Sequence, residues 1–456
     1  MEKREKFASR LGFILISAGC AIGLGDVWRF PYITGQYGGG IFVLIYLVFI
    51  FMLGLPIITM ELAVGRASQK SIATSFNVLE KKGQKWHWMG FAGMLGNYIL
   101  MMFYTTVAGW MLGYFFKFAT GRFVGASTEQ IGAIFEGLIG NPLEMTLWMA
   151  ITTVVCFGIC SMGLQEGVEK VTKVLMVLLL ILIVVLAIKS MTLPNASAGL
   201  KFYLLPDVNS IKEHGLWETI FAAMSQAFFT LSIGIGSLAI FGSYLGKDRR
   251  LLGESINIAV IDTSISIIAG LIIFPACFAF NVDPGQGPGL IFVTLPNIFN
   301  SMSGGRIWGS LFFIFMCFAA YSTVIAVFEN IISFAMDLWG WSRKKAAYIN
   351  MVLLIVLSIP CVLGFNVLSG FQPLGPGTNI LDLEDFIISY NLLPLGSLVY
   401  LLFCVTRYGW GFENYIKEMN TGEGIKMPRW LRGYLTWILP LIILLVLVQG
   451  YINFFG

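Results

Sequence analysis

The stretch Gly19-Cys20-Ala21-Ile22-Gly23-Leu24-Gly25-Asp26 lies inside one apolar run, and Thr230-Leu231-Ser232-Ile233-Gly234-Ile235-Gly236 lies inside another, in the other half of the chain. Both share an Ile-Gly-x-Gly core. Glycine weakens a helix by ~1 kcal/mol relative to alanine, so two of them beside Thr, Ser or Asp invite local unwinding. Inside a bilayer, the carbonyls freed in this way must be met by protein, water or an ion. Close packing of helices through small residues is the plainer reading of either segment alone. The number and order of the helices around them decide between the two.

Of 456 residues, 57% are apolar and 12% charged, against roughly 25% charged in a soluble domain. That excludes an ordinary water-soluble protein. Charge-free runs recur from end to end, each long enough for the ~20 helical residues that cross a bilayer core. They predict eleven helices, at about 11–37, 41–66, 90–118, 144–162, 170–191, 217–243, 252–281, 307–339, 345–369, 383–407 and 430–454. A membrane β-barrel is excluded because its strands alternate apolar and polar residues. The formal charge of +4 is too slight to suggest nucleic acid. Its distribution says more: 22 of the 29 Lys and Arg fall in segments on the N-terminal side of the membrane. Basic residues are retained in the cytoplasm, so the N-terminus is expected inside and Gly456 outside, in the inner (plasma) membrane of the cell. The first run follows a basic stub as a signal peptide would, but Arg29 and Pro31 stand where a small-residue cleavage site belongs, so it is expected to be kept. The seven cysteines show no zinc or redox spacing.

The expected organisation is a cytoplasmic segment at 1–10, a first five-helix repeat at 11–191, an extracellular loop at 192–216, a second five-helix repeat at 217–407, a cytoplasmic loop at 408–429 and an eleventh helix at 430–456. The two glycine-interrupted helices stand first in their repeats. Paired interruptions at corresponding positions mark a transporter with inverted repeats and a binding site near the midplane. The fold class is thus an all-α polytopic membrane protein with a 5+5 inverted repeat, broken in helices 1 and 6. Each charge within the spans needs a reason: Asp26, Glu61, Asp262, Glu329 and Asp385. A hard cation such as sodium suits their oxygens. His87 and His214 fall near span ends and read as interfacial or loop residues.

The segment Arg10-Leu11-Gly12-Phe13 through Gly23-Leu24-Gly25-Asp26-Val27-Trp28-Arg29-Phe30-Pro31, followed by Gly38-Gly39-Gly40, resembles the first helix and linker of the neurotransmitter:sodium symporters. Glu61-Leu62-Ala63-Val64-Gly65-Arg66, Phe228-Phe229-Thr230-Leu231-Ser232 and Ser342-Arg343-Lys344-Lys345 extend the resemblance over almost the whole chain, and the count of eleven expected spans resembles the family's bacterial eleven-helix amino-acid transporter branch. The resemblance implies two sodium sites and no organic cofactor. The first site would use Ala21, Asp26, Thr230 and Asp262, completed by the substrate carboxylate; the second would use Gly19, Ile22, Ala319, Ser322 and Thr323. Asparagine is usual in the family at the position of Asp26 and common at that of Asp262. Two carboxylates and a substrate carboxylate around one ion make a bound proton an expectation too. The family's chloride residues map to Tyr46, Gln226, Thr230 and Ser266, with Asp262 supplying a fixed negative charge in chloride's place.

For the substrate, the resemblance implies Cys20, Ala21, Leu24, Gly25, Leu100, Tyr104, Phe229, Thr230, Ser232, Ile235, Thr323 and Val327. Gly23 stands where monoamine carriers of the family place an aspartate, which leaves room for an amino acid's own carboxylate. The apolar side-chain positions favour a neutral, hydrophobic or aromatic L-amino acid. Arg29 with Asp385 matches the family's outer gate, and Arg4 with Asp337 its inner one. The fifth helix departs from the pattern: Val177 occupies the place, ten residues after Gly167, where a proline often assists unwinding. The loop from Pro284 to Gly305 is expected over the outer vestibule. Expected partners are therefore the amino acid, sodium and the lipid bilayer, without nucleic acid; a homodimer stays open. Enzyme signatures are absent. Sodium-coupled symport by alternating access is the leading expectation, with a proton-coupled amino-acid carrier, or a ligand-gated channel or transporter-like sensor, as alternatives.

Overall fold

A computed structural model describes residues 5–207, 209, 215–282, 284 and 289–455; Arg4, His214, Gly285, Gly287 and Pro288 lie outside them. Helix makes up 77% of the chain, and among the described residues the only β-pairing is an isolated bridge between Arg249 and Glu423. In order, the helices are α1 (Arg10–Ala21), α2 (Gly25–Gln36), α3 (Gly40–Ser68), α4 (Ile72–Leu79), α5 (Trp88–Ala119), α6 (Thr128–Ile139), α7 (Pro142–Ser161), α8 (Leu164–Met191), α9 (Ala196–Leu204), α10 (Leu216–Thr230), α11 (Ala239–Ser243), α12 (Leu251–Ala279), α13 (Leu290–Ser301), α14 (Gly305–Trp339), α15 (Arg343–Leu363), α16 (Ile380–Val405), α17 (Phe412–Met419) and α18 (Leu431–Ile452).

Among the described residues, nine helices are long and apolar enough to cross a bilayer, and the pair α1–α2, bent by 56° at its break, makes a tenth. Neither α10, of 15 residues, nor α11, of five, is long enough alone. Counted together as one interrupted span, they bring the number to the eleven expected. Five spans follow in each half from a broken one: α1–α2, α3, α5, α7 and α8, then α10–α11, α12, α14, α15 and α16. Five shorter helices, α4, α6, α9, α13 and α17, occupy connections between the spans. The segment from Pro284 to Gly305 thus contains a helix, α13, whose Phe292 packs edge-on against Trp28 of α2 and Trp110 of α5.

The two Ile-Gly-x-Gly cores break for different reasons. In the second, the chain from 231 to 238 is non-helical, and Ser232 (φ 49°), Gly234 (φ 105°) and Gly236 (φ 72°) are left-handed. Glycine is needed there for conformation. In the first, α1 stops at Ile22 in an extended conformation (φ −63°, ψ 108°), and neither Gly23 nor Gly25 has a positive φ. Space decides instead: a Cβ on Gly23 would overlap the Tyr104 hydroxyl, and one on Gly25 would press to 3.0 Å from Phe229 Cδ1. The broken helices sit at the centre of the bundle, α1 against α12 and α14, and α11 against α3. A Cβ at Gly65 of α3 would overlap the Ala239 carbonyl, so these two backbones touch, as small residues allow between membrane helices. The fifth span, α8, runs unbroken through Val177, opening with a π-turn at Leu164–Glu169.

Candidate functional site

Unwinding leaves peptide groups without helical partners, and each must be satisfied at this depth. At the second break, Glu61 of α3 does most of it: its carboxylate accepts from the amides of Gly234 (2.6 Å), Gly236 (3.3 Å) and Leu238 (3.0 Å). Asn97 donates to the Ile235 carbonyl (3.0 Å), and Asn330 to that of Gly236 (3.2 Å). Glu61 therefore holds the break open. At the first break, the Gly23 amide donates to Asp26 Oδ2 (2.9 Å) and the Leu24 amide to Tyr104 Oη (3.0 Å). The carbonyls of Gly19 and Ile22 accept from Thr323 Oγ1 of α14, at 3.2 and 2.7 Å, while Ser322 Oγ donates to the Ala319 carbonyl (2.8 Å). The five groups expected at the second sodium site thus meet through the Thr323 and Ser322 hydroxyls. A Cβ on Gly19 would stand 3.1 Å from Ser322 Cβ, which shows how near α1 and α14 lie.

The groups expected at the first sodium site come from α1, α2, α10 and α12. Asp26 is buried, and its second oxygen accepts from Ser266 Oγ of α12 (2.5 Å). Asp262, one helical turn before Ser266, is 0% exposed, and among the described residues neither of its carboxylate oxygens has a hydrogen-bond partner. It faces Asp26. Gln226 Nε2 donates to the Gly25 carbonyl (2.9 Å) and to Thr230 Oγ1 (2.8 Å), and Tyr46 faces both carboxylates. Two facing carboxylates buried from water require a compensating positive charge, an ion or a proton. An unpartnered, fully buried Asp262 is the feature that fits a cation ligand.

Between the two breaks lies a small cavity of roughly 20 Å³. It is lined by Ala21, Gly23, Leu24 and Gly25 of the first broken helix, Leu100 and Tyr104 of α5, Phe229 and Ser232 at the second break, and Ile388 and Leu393 of α16. Cys20, Thr230, Ile235, Thr323 and Val327, also implied for the substrate, are buried but not among the lining residues. Ile388 and Leu393 are absent from the sequence-based set; helical periodicity gives no sign of them because α16 changes register between them. Of the gate residues, Arg29 lays its guanidinium 4.1 Å from the centre of the Phe229 ring, whereas Asp385 accepts from Ser389 Oγ (2.6 Å). Among the described residues, no ion pair joins the two. Asp337 accepts from Lys70 Nζ (3.3 Å) and the Ser71 amide (2.8 Å).

Residues 4–131 and 129–455 match the Sodium:neurotransmitter symporter family. An uncharacterized sodium-dependent transporter of Bacillus subtilis, YhdH, is 32% identical, over 98% of both chains. The sodium- and chloride-dependent taurine transporter of Bos taurus is 23% identical, over 96% of this chain and 77% of its own. The crystal structure of MhsT in complex with L-phenylalanine superposes with a TM-score of 0.87 at 41% identity, covering 98% of this chain and all of that one.

Proposed function

We propose, from the premise that this chain belongs to the sodium:neurotransmitter symporter family, that it carries a neutral hydrophobic or aromatic L-amino acid into the cell together with sodium. Membership makes it a multi-pass, sodium-dependent membrane transporter of a small molecule rather than an enzyme. The amino-acid reading rests on one observation: among the described residues, Tyr104 and Ser232 are the only polar side chains lining the cavity between the breaks. A zwitterion brings its own two charges to such a place. Its carboxylate takes up the Leu24 amide and the Tyr104 hydroxyl, which now bond to one another, and the positive end of α2 favours it. Its ammonium group meets freed carbonyls and Ser232. The apolar remainder suits an apolar side chain, and the phenylalanine in the MhsT complex supports that choice.

In this reading, the first sodium is held by the Ala21 carbonyl, Asp26, Thr230 and Asp262, and shares the substrate carboxylate. The second is held by the carbonyls of Gly19, Ile22 and Ala319 with the hydroxyls of Ser322 and Thr323. At the second site each hydroxyl turns its proton away and offers a lone pair, so the ion ties α1 to α14 and its departure frees them. Alternating access then follows from outer closure by Arg29 and Asp385 and inner closure by Arg4 and Asp337. The facing pair Asp26 and Asp262 favours a second possibility at the first site, a proton bound along with the ion. The basic residues that cluster at one set of helix ends support a cytoplasmic N-terminus and 408–429 loop, with Gly456 on the other side. A binding screen of the common L-amino acids on the purified chain, with NaCl or choline chloride, tests the reading. Sodium-dependent binding of apolar members is expected; binding of none, or equal binding in choline, would refute it.

A further inference from the structure

Besides α5, the cavity has a further wall that neither break supplies. Helix α16 runs as an ordinary α-helix to Asp385, as a π-helix over Phe386–Leu392, and as an α-helix again from Leu393. The Leu393 amide bonds back to the Ile388 carbonyl, five residues earlier. On a plain α-helix, residues five apart point about 140° away from each other. The widened turn stacks them instead, so Ile388 (0% exposed) and Leu393 (3% exposed) both line the cavity.

This wall cannot retreat. A Cβ on Gly396 would overlap the Gly234 carbonyl, and one on Gly234 would overlap that of Leu393, so the α16 backbone rests directly on the unwound segment. On the other side, a Cβ on Gly96 of α5 would press against Leu392 and Ile235, which brings α5 and α16 together one turn from Leu100. An apolar barrier with fixed backbone therefore faces the main-chain groups of the first break.

We infer that Ile388 and Leu393, brought to one face by the π-turn of α16, set the upper size of the substrate's side chain. The inference rests on the amino-acid reading above. One extra or missing methylene in an apolar pocket is worth roughly 10- to 200-fold in discrimination, so trimming Ile388 changes the ranking of ligands and not merely their strength.

The test is competition binding in NaCl to the purified full chain by L-leucine, L-phenylalanine and L-tryptophan. In Ile388→Ala and Leu393→Ala, affinity for tryptophan relative to leucine is expected to rise about tenfold or more. In Ile388→Phe the same ratio is expected to fall by a similar factor. Leu401→Ala, equally buried on α16 but outside the lining, should leave the ratio unchanged. Should the alanine variants fail to fold, Ile388→Val carries the test with a smaller rise. Ratios unmoved in all variants, or moved as much by Leu401→Ala, overturn the inference. Wild-type protein that binds none of the three amino acids overturns the amino-acid reading itself, and the inference with it.

Discussion

Replacing Asp262 by asparagine should move stability in opposite directions with and without sodium. The carboxylate is fully buried, unpartnered among the described residues, and faces Asp26. Without an ion it is a liability, since an unsatisfied buried group costs about 1–3 kcal/mol and a charged one more. Asp262→Asn should therefore be more stable than wild type in choline chloride, by about 1–3 kcal/mol. With sodium, the carboxylate and the ion attract by about 4 kcal/mol at ~4 Å and an effective dielectric of ~20. Part of that is offset by stripping both groups of water, leaving a net loss of roughly 2–3 kcal/mol in the variant, or about 30- to 150-fold in sodium affinity. At a sodium concentration 100 times the wild-type Kd, binding stabilises wild type by about 2.7 kcal/mol; a 100-fold weaker variant keeps only about 0.4 kcal/mol. Thermal unfolding of the purified chain in matched NaCl and choline chloride reads both effects. A variant that keeps the wild-type sodium-dependent rise in Tm would refute the claim that the negative charge of Asp262 holds the ion.

Thr323→Val keeps the shape of the side chain but removes the oxygen between the Gly19 and Ile22 carbonyls. It is expected to raise the sodium concentration for half-maximal uptake about tenfold or more, with folded yield reduced by far less. Glu61→Gln takes the charge from an acceptor of three main-chain amides and should cost about 2–4 kcal/mol, since charged hydrogen bonds are worth about 1.5–3 kcal/mol each in net terms; a fall in Tm measured without sodium checks it. Gly234→Ala places a Cβ against the Leu393 carbonyl at a φ of 105°, and should abolish monodisperse protein on size exclusion. Replacing chloride by gluconate should leave uptake unchanged, because Asp26 and Asp262 already provide the negative charge beside Tyr46 and Ser266.

Sequence reading reached the architecture because the signals that set it are long and local. Apolar runs the length of a bilayer, basic loops and two Ile-Gly-x-Gly cores need no knowledge of neighbours, and both cores are breaks in the structure. The reason for each break was not local. Whether a glycine is there for φ and space together, as at Gly234, or for space alone, as at Gly23, depends on α5 and α16, which pack on it from far along the chain. The same holds for Glu61, whose charge within a span is visible but whose three amide partners lie in the unwound segment between α10 and α11. The stretch that holds α13 looks like a loop in the sequence because its flanks are rich in glycine and proline, although its own residues form an apolar helix over Trp28 and Trp110. Ile388 and Leu393 were missed because a π-turn adds a residue to the helical repeat, which a search at period 3.6 does not register.

The coupling itself is tested most directly by uptake of radiolabelled L-phenylalanine into proteoliposomes carrying the purified chain, under an inward sodium gradient at equal pH on both sides. Accumulation above the external concentration, abolished when the gradient is collapsed and absent with a pH gradient alone, is the result expected. Equilibration without accumulation, or accumulation driven by the pH gradient in the absence of sodium, would contradict it.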